Sequence, residues 1–226
     1  SDIPFPPFED FDAAGNVIGF DAELVEEMAS RLGLTVEWID TDFDTIFTQL
    51  AGGARFDMVA SATTITAERE ELINFTDRYY LAQQALTVNK ELTPEITAVD
   101  DLGEGHSVAV QTGTTGEIWA NENLAPKGVD VVSFPGAPDT MIALEGGQVT
   151  GVIFDEPFAV DQVAIRPTLA IAGVIDTDEN YGFPVDPAHP GLLDALNGAL
   201  RDIIDDGTYQ RIYDKWFVAP AGSVAE

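Results

Sequence analysis

The sequence predicts an α/β fold, on three observations. Apolar residues recur with helical period over residues 20–33, short apolar runs of strand type follow the helices, and glycines punctuate the changeover. Before these comes Ile3-Pro4-Phe5-Pro6-Pro7-Phe8. Its three prolines remove backbone donors and fix φ, so it reads as an extended aromatic loop rather than helix or central strand. From residue 20, Phe20, Leu24, Val25, Met28 and Leu32 share one helical face and Glu23, Glu26, Glu27 and Arg31 the other, with Gly33 as the stop. Residues 36–39 read as a strand. A shorter helix carrying Ile46, Phe47 and Leu50 ends at Gly52-Gly53, and Met58-Val59-Ala60 reads as a short strand of the buried, parallel kind.

The same pattern recurs. Residues 50–57 before Met58-Val59 resemble residues 144–151 before Val152-Ile153-Phe154, each a helix end, a glycine pair and a buried run. Two similar lobes would produce this, and so would ordinary α/β punctuation. Residues 84–89 and 181–185 read as extended crossings. The C-terminal part reads as two amphipathic helices, one with Leu192, Leu193, Leu196, Ala199, Leu200 and Ile203, the other with Tyr209, Ile212, Tyr213, Trp216 and Phe217, broken at Asp206-Gly207. Beyond Phe217 a frayed tail is expected.

At 226 residues, 45% hydrophobic and 22% charged, the chain has ordinary globular composition; its departure is in sign, with 40 acidic against 10 basic residues and a net charge of −30. That charge argues against nucleic acid and anionic membrane surfaces as partners, and fits a saline habitat where counterions screen it. Cysteine is absent and the two histidines, His106 and His189, are isolated, so neither a thiolate metal site nor a zinc site is expected, nor any cofactor. No run approaches the roughly 18 apolar residues of a membrane span. The first residues do not read as a signal peptide, so an export signal or lipid anchor is expected to have been left out.

In parallel α/β sheets ligands gather where strands end and helices begin. Three such places stand out. After Met58-Val59-Ala60, Thr66 is placed to cap a helix holding Glu68 and Glu70, which leaves the Thr64 amide and the Arg69 guanidinium near a positive helix end. Arginine's planar fork suits a carboxylate; the alternative is that Arg69 pairs with Glu68, Glu70 or Asp77 on a solvated face. After Ser107-Val108-Ala109-Val110 comes Gln111-Thr112-Gly113-Thr114-Thr115-Gly116, a turn whose amides and hydroxyls could hold an anion or could simply cap a helix. Third, Asp155-Glu156 follows a buried strand. Two acids suggest glycosidic chemistry, but neighbours on a strand end point apart, so Asp155 is read as a partner for an ammonium or as a helix cap.

Over nearly its whole length the chain resembles the polar-amino-acid-binding proteins of bacterial ABC importers. The matching stretches are Phe5-Pro6-Pro7-Phe8-Glu9, Gly19-Phe20-Asp21, Thr64-Ile65-Thr66 with Arg69, and Phe75-Thr76-Asp77 with Tyr79-Tyr80. Further on come Gln111 with Gly113-Thr114-Thr115-Gly116, Asp155 with Pro157, Tyr181-Gly182, and Asp206-Gly207-Thr208-Tyr209 with Ile212-Tyr213 and Lys215-Trp216-Phe217.

The resemblance implies a two-lobed periplasmic-binding-protein-like fold of type II, with central mixed sheets flanked by helices, two hinge strands and an amino acid held between the lobes. Lobe one would take residues 1–86 and 183–226, lobe two residues 87–182. The family's first strand, an apolar run ahead of the Phe5 loop, has no counterpart here. By resemblance Arg69 grips the ligand carboxylate with the amides of Thr64 and Thr115, and Asp155 holds the α-ammonium with the Ala62 carbonyl. Phe5 and Phe43 would sandwich the side chain, whose polar end meets Asp2 and Gln111. Ala62 lacks the hydroxyl many relatives use, and Gln111 stands where glutamine binders often carry lysine.

The function so implied is non-catalytic. A monomer outside the cytoplasm would bind a free polar or basic amino acid, glutamine or arginine first, for an importer's permease. The alternatives are a cyclohexadienyl or arogenate dehydratase on the same fold, with Glu156 as the extra acid, and the sensing domain of a receptor.

Overall fold

The computed structural model describes residues 1–53 and 55–218. In chain order the elements are β1 (Asp10–Phe11), β2 (Val17–Ile18), α1 (Phe20–Leu32), α2 (Phe43–Ala51), α3 (Ala67–Glu70), β3 (Asn74–Phe75), β4 (Tyr80–Asn89), β5 (Ser107–Gln111), α4 (Thr115–Asn123), β6 (Asp130–Phe134), α5 (Ala137–Glu145), β7 (Gly151–Asp155), α6 (Glu156–Ile165), β8 (Leu169–Tyr181), β9 (Pro184–Val185), α7 (Pro190–Asp205) and α8 (Thr208–Phe217), with short 3₁₀ turns at Val99–Asp101 and Ala125–Lys127. The chain divides into two compact units, one of Ser1–Thr41, Ile46–Tyr79 and the chain from Tyr181 onward, the other of Asp42–Thr45 and Tyr80–Asn180. The expected frayed tail, apart from Val218, lies outside the described residues.

In the first unit the proline segment does not stay extended. It turns back on itself, with Phe5 N–H donating to the Glu9 carbonyl at 2.7 Å and Phe8 N–H to the Phe5 carbonyl at 3.0 Å. This drops Phe8, fully buried, into an aromatic core. Phe8 meets Tyr181 at 5.4 Å between centroids and Phe217 at 5.5 Å, while Tyr79 stacks on Phe183 at 4.1 Å. Entry to α1 depends on Gly19. Its φ is 137°, and a β-carbon there would lie 2.0 Å from the Phe8 carbonyl oxygen. The helix buries Phe20, Leu24, Val25 and Met28 as its periodicity predicts, and ends at left-handed Gly33, whose N–H reaches the Ala29 and Ser30 carbonyls.

Two expected strands do not form. Residues 36–39 carry no regular structure, and Met58 makes only an isolated bridge to Val185. The reason is pairing. Residues 36–39 have no ladder partner, and the 57–59 run meets only residues 184–186, through Val59 N–H to the Pro184 carbonyl at 2.9 Å and Asp186 N–H to the Asp57 carbonyl at 3.0 Å, too little to make a strand. The glycine-pair pattern is therefore only half repeated: Gly52-Gly53 ends α2 without a strand to follow, whereas Gly146-Gly147 after α5 leads into β7.

The second unit is built on one mixed sheet in the order β6-β5-β7-β4-β8. β5 runs parallel to β6 and β7, and β7 pairs antiparallel with β4, setting Gln84 opposite Asp155 and Leu86 opposite Ile153. Leu86, Val88, Val108, Val110 and Ile153 from the sheet pack with Ala120 and Leu124 of α4 and its following turn. The α/β expectation holds, with helices covering sheets. Among the described residues no helix is long and apolar enough to cross a membrane.

Candidate functional site

Of the residues singled out in the sequence, the first unit contains Asp2, Phe5, Ala62, Thr64 and Arg69. Thr66 caps α3 as expected, its hydroxyl accepting from Arg69 N–H at 3.2 Å. The helix itself is a single turn, however. One turn aligns too few peptide dipoles to make a positive helix end, which leaves the Arg69 guanidinium as the positive charge of this segment. Its Nη1 donates to the Thr64 carbonyl at 2.7 Å, and its guanidinium carbon lies 4.7 Å from the centre of the Phe47 ring. Of the acids suggested as surface partners, Asp77 is taken up by Arg201 at 2.8 Å.

Thr64 is buried and bridges Tyr181, tying the segment to the end of β8. Ala62 is buried in the left-handed region with φ 43°. Asp2 reaches the same segment through its N–H, which donates to the Ser61 hydroxyl at 3.1 Å. Phe5 is buried and stacks on Phe8 at 6.1 Å.

The second unit gathers Gln111, Thr115 and Asp155; Phe43, buried at the start of α2, is grouped with this unit. At the end of β5 the Thr114 hydroxyl accepts from Glu117 N–H at 3.1 Å and donates to the Gln111 carbonyl at 2.7 Å, capping α4. Thr115 follows as its first residue, its hydroxyl donating to Glu179 Oε2 at 2.9 Å. Gln111 is buried and donates Nε2 to the Pro135 carbonyl at 3.0 Å. Asp155 ends β7 at 8% exposure and makes no side-chain cap to α6. The capping alternative therefore fails.

Instead Asp155 accepts from Gln84 Nε2, which also donates to Glu179 Oε1 at 3.3 Å. Glycine is needed at 116 for this, because a β-carbon there would lie 2.9 Å from Gln84 Oε1. Thr115, Gln84, Asp155 and Glu179 thus form one polar cluster. Sequence reasoning misses Gln84 and Glu179 as site residues; the local signal is the glutamine pair Gln83-Gln84 inside β4. Glu156 begins α6 beside this cluster's Asp155. Among the described residues no group of three or more histidines and acids could hold a metal ion.

Residues 1–219 match the model of the bacterial extracellular solute-binding proteins, family 3. The chain belongs to that family. It is 31% identical over 229 residues to a probable histidine-binding protein of Neisseria gonorrhoeae, covering all of this chain and 84% of the relative. An ancestral arginine-binding protein bound to glutamine superimposes with a TM-score of 0.89 at 36% identity, covering 96% of this chain and 95% of the other. An ancestral amino-acid-binding protein described as a precursor of cyclohexadienyl dehydratase gives 0.87 at 34%, covering 96% and 92%. The fold expected from the resemblance is that of these solute-binding neighbours.

Proposed function

We propose that this family 3 protein binds a free polar or basic amino acid outside the cytoplasm, as a monomer, and hands it to the permease of an ABC importer. The observation that carries the reading is Asp155, a buried carboxylate at a strand end that caps nothing and is held in place by Gln84. A zwitterion leaving water needs a partner at each charge. Asp155 supplies one for the ammonium, with the Ala62 carbonyl. Arg69, its guanidinium 4.7 Å from the Phe47 ring centre, supplies the other for the carboxylate, with the amides of Thr64 and Thr115. Phe5 and Phe43 flank the ligand side chain in this reading, and Asp2 and Gln111 meet its polar end. Glutamine and arginine are the first candidates, and the histidine-binding relative adds histidine.

Calorimetry of protein stripped of ligand by unfolding and refolding, run against the standard amino acids, tests this. Submicromolar to micromolar binding of one or a few polar or basic amino acids is expected, and no heat with any of them overturns the reading. Arg69→Ala and Asp155→Ala should each weaken binding a hundredfold or more, since each strands a ligand charge without its partner. A second reading, dehydration of prephenate or arogenate, draws on the dehydratase-precursor neighbour and on Glu156 as general acid. Release of phenylpyruvate or phenylalanine by the purified protein would put it first.

A further inference from the structure

The first unit contains two fully buried carboxylates, Glu9 and Asp21, that the proposed ligand contacts do not use. Asp21 Oδ2 accepts from the Ala62 N–H at 2.9 Å and from the Tyr79 hydroxyl at 2.7 Å. Glu9 Oε1 accepts from the Ser61 hydroxyl at 3.0 Å, and that hydroxyl accepts in turn from Asp2 N–H. The remaining oxygens, Glu9 Oε2 and Asp21 Oδ1, are buried with no hydrogen-bond partner. Burial pushes the Glu9 carboxyl well above the usual carboxylate range, reinforced by the Asp21 charge, and burial pushes Asp21 up to about 7.

Two buried acids with orphaned oxygens are a standing cost to the fold. What they hold accounts for their place. Ala62 is one of two non-glycine residues with positive φ among the described residues, a conformation in which a β-carbon crowds the backbone and which persists only when its surroundings enforce it. The Asp21 bond falls on the amide of that same strained residue, from 41 positions away in sequence, while Glu9 anchors the residue before it.

We propose that Asp21 is a positioning residue that locks Ala62 in its left-handed conformation and so aims the Ala62 carbonyl at the ligand ammonium. The second half of this statement rests on the amino-acid-binding reading; the first does not. Tyr79 provides the internal control, because its hydroxyl donates to the same Asp21 oxygen rather than to the 61–64 backbone.

The test compares Asp21→Ala, Asp21→Asn and Tyr79→Phe by calorimetry with the amino acid that binds the parent, and by the ¹³Cα and ¹³Cβ shifts of Ala62, which report its backbone conformation. Asparagine keeps an oxygen for both donors and removes the charge that acts on Glu9. It should therefore hold affinity within twofold and leave the Ala62 shifts in place, as should Tyr79→Phe. Asp21→Ala should lose affinity at least tenfold and move the Ala62 shifts out of the left-handed range. Unmoved Ala62 shifts in the alanine variant, or an equal affinity loss in Tyr79→Phe, would overturn the proposal. Should the alanine variant not fold, hydrogen exchange in the parent decides: the Ala62 amide should exchange only with global unfolding, and exchange orders of magnitude faster refutes the lock. If the parent binds no amino acid, the functional reading falls while the Ala62 measurements still judge Asp21.

Discussion

The buried acids make the stability of this protein depend on pH in a direction opposite to ordinary acid denaturation. Burial raises the Asp21 carboxyl from the usual 3.8 to about 7. Between those values the unfolded chain has released a proton that the native state keeps, so stability is highest below the window and falls as pH rises through it. At about 1.4 kcal/mol per pH unit, Asp21 alone removes about 3 kcal/mol between pH 5 and pH 8. Glu9, raised by burial and then by Asp21, acts with the same sign.

The net charge of −30 also disfavours the compact state as pH rises, but that repulsion acts across solvent and is suppressed at about 1 M salt, where the screening length is about 3 Å. Asp12, Asp101 and Asp206 work the other way. Hydrogen bonds hold their carboxyls below the usual range, led by the Asn16 side chain at Asp12, the Thr97 amide at Asp101 and the Thr208 amide at Asp206. What they contribute is lost only as pH falls below about 4, outside the window. Urea unfolding of the parent and Asp21→Asn in 1 M KCl at pH 5, 6, 7 and 8 isolates the buried part. The parent should lose stability steeply between pH 5 and 7.5 and the variant much less. Parallel curves would refute the assignment of a retained proton to native Asp21.

Three substitutions probe the rest. Gly19→Ala forces a β-carbon into the Phe8 carbonyl at a φ of 137°, and should cost ~3 kcal/mol or more in urea unfolding. Leu86→Ala, fully buried between sheet and helix in the second unit, should cost about 2–5 kcal/mol in the same assay. Gln84→Leu takes the amide away from Asp155 and Glu179 and should weaken amino-acid binding by about 1–3 kcal/mol in calorimetry, with unchanged affinity ruling out a role for Gln84 in orienting Asp155.

How much of this was legible in the sequence depends on whether a feature is local. The face of α1, its stop at Gly33, the Thr66 cap and the break at Gly207 are set within a few residues, and each is found where its neighbours place it. Strands depend on another segment: residues 36–39 have strand composition and no ladder, because apolar patterning says nothing of whether a neighbour is present. The polar clusters are less local still. Tyr79 lies 58 residues from Asp21, and Gln84 lies 71 from Asp155 and 95 from Glu179.

Read singly, Asp21 is an acid in the first turn of an acidic helix and Gln84 a polar residue in a strand, and both have bland explanations. What sets them apart is burial combined with an incomplete set of partners, since a chain with 40 acids could place almost any of them in water. Each cluster keeps its acids inside, and each holds a segment that the family resemblance implicates in ligand contact: Ala62 in one unit, Thr115 and Asp155 in the other. A carboxylate whose burial costs stability and whose hydrogen bonds fall on such a segment is therefore better evidence for where a ligand sits than any short motif in this sequence.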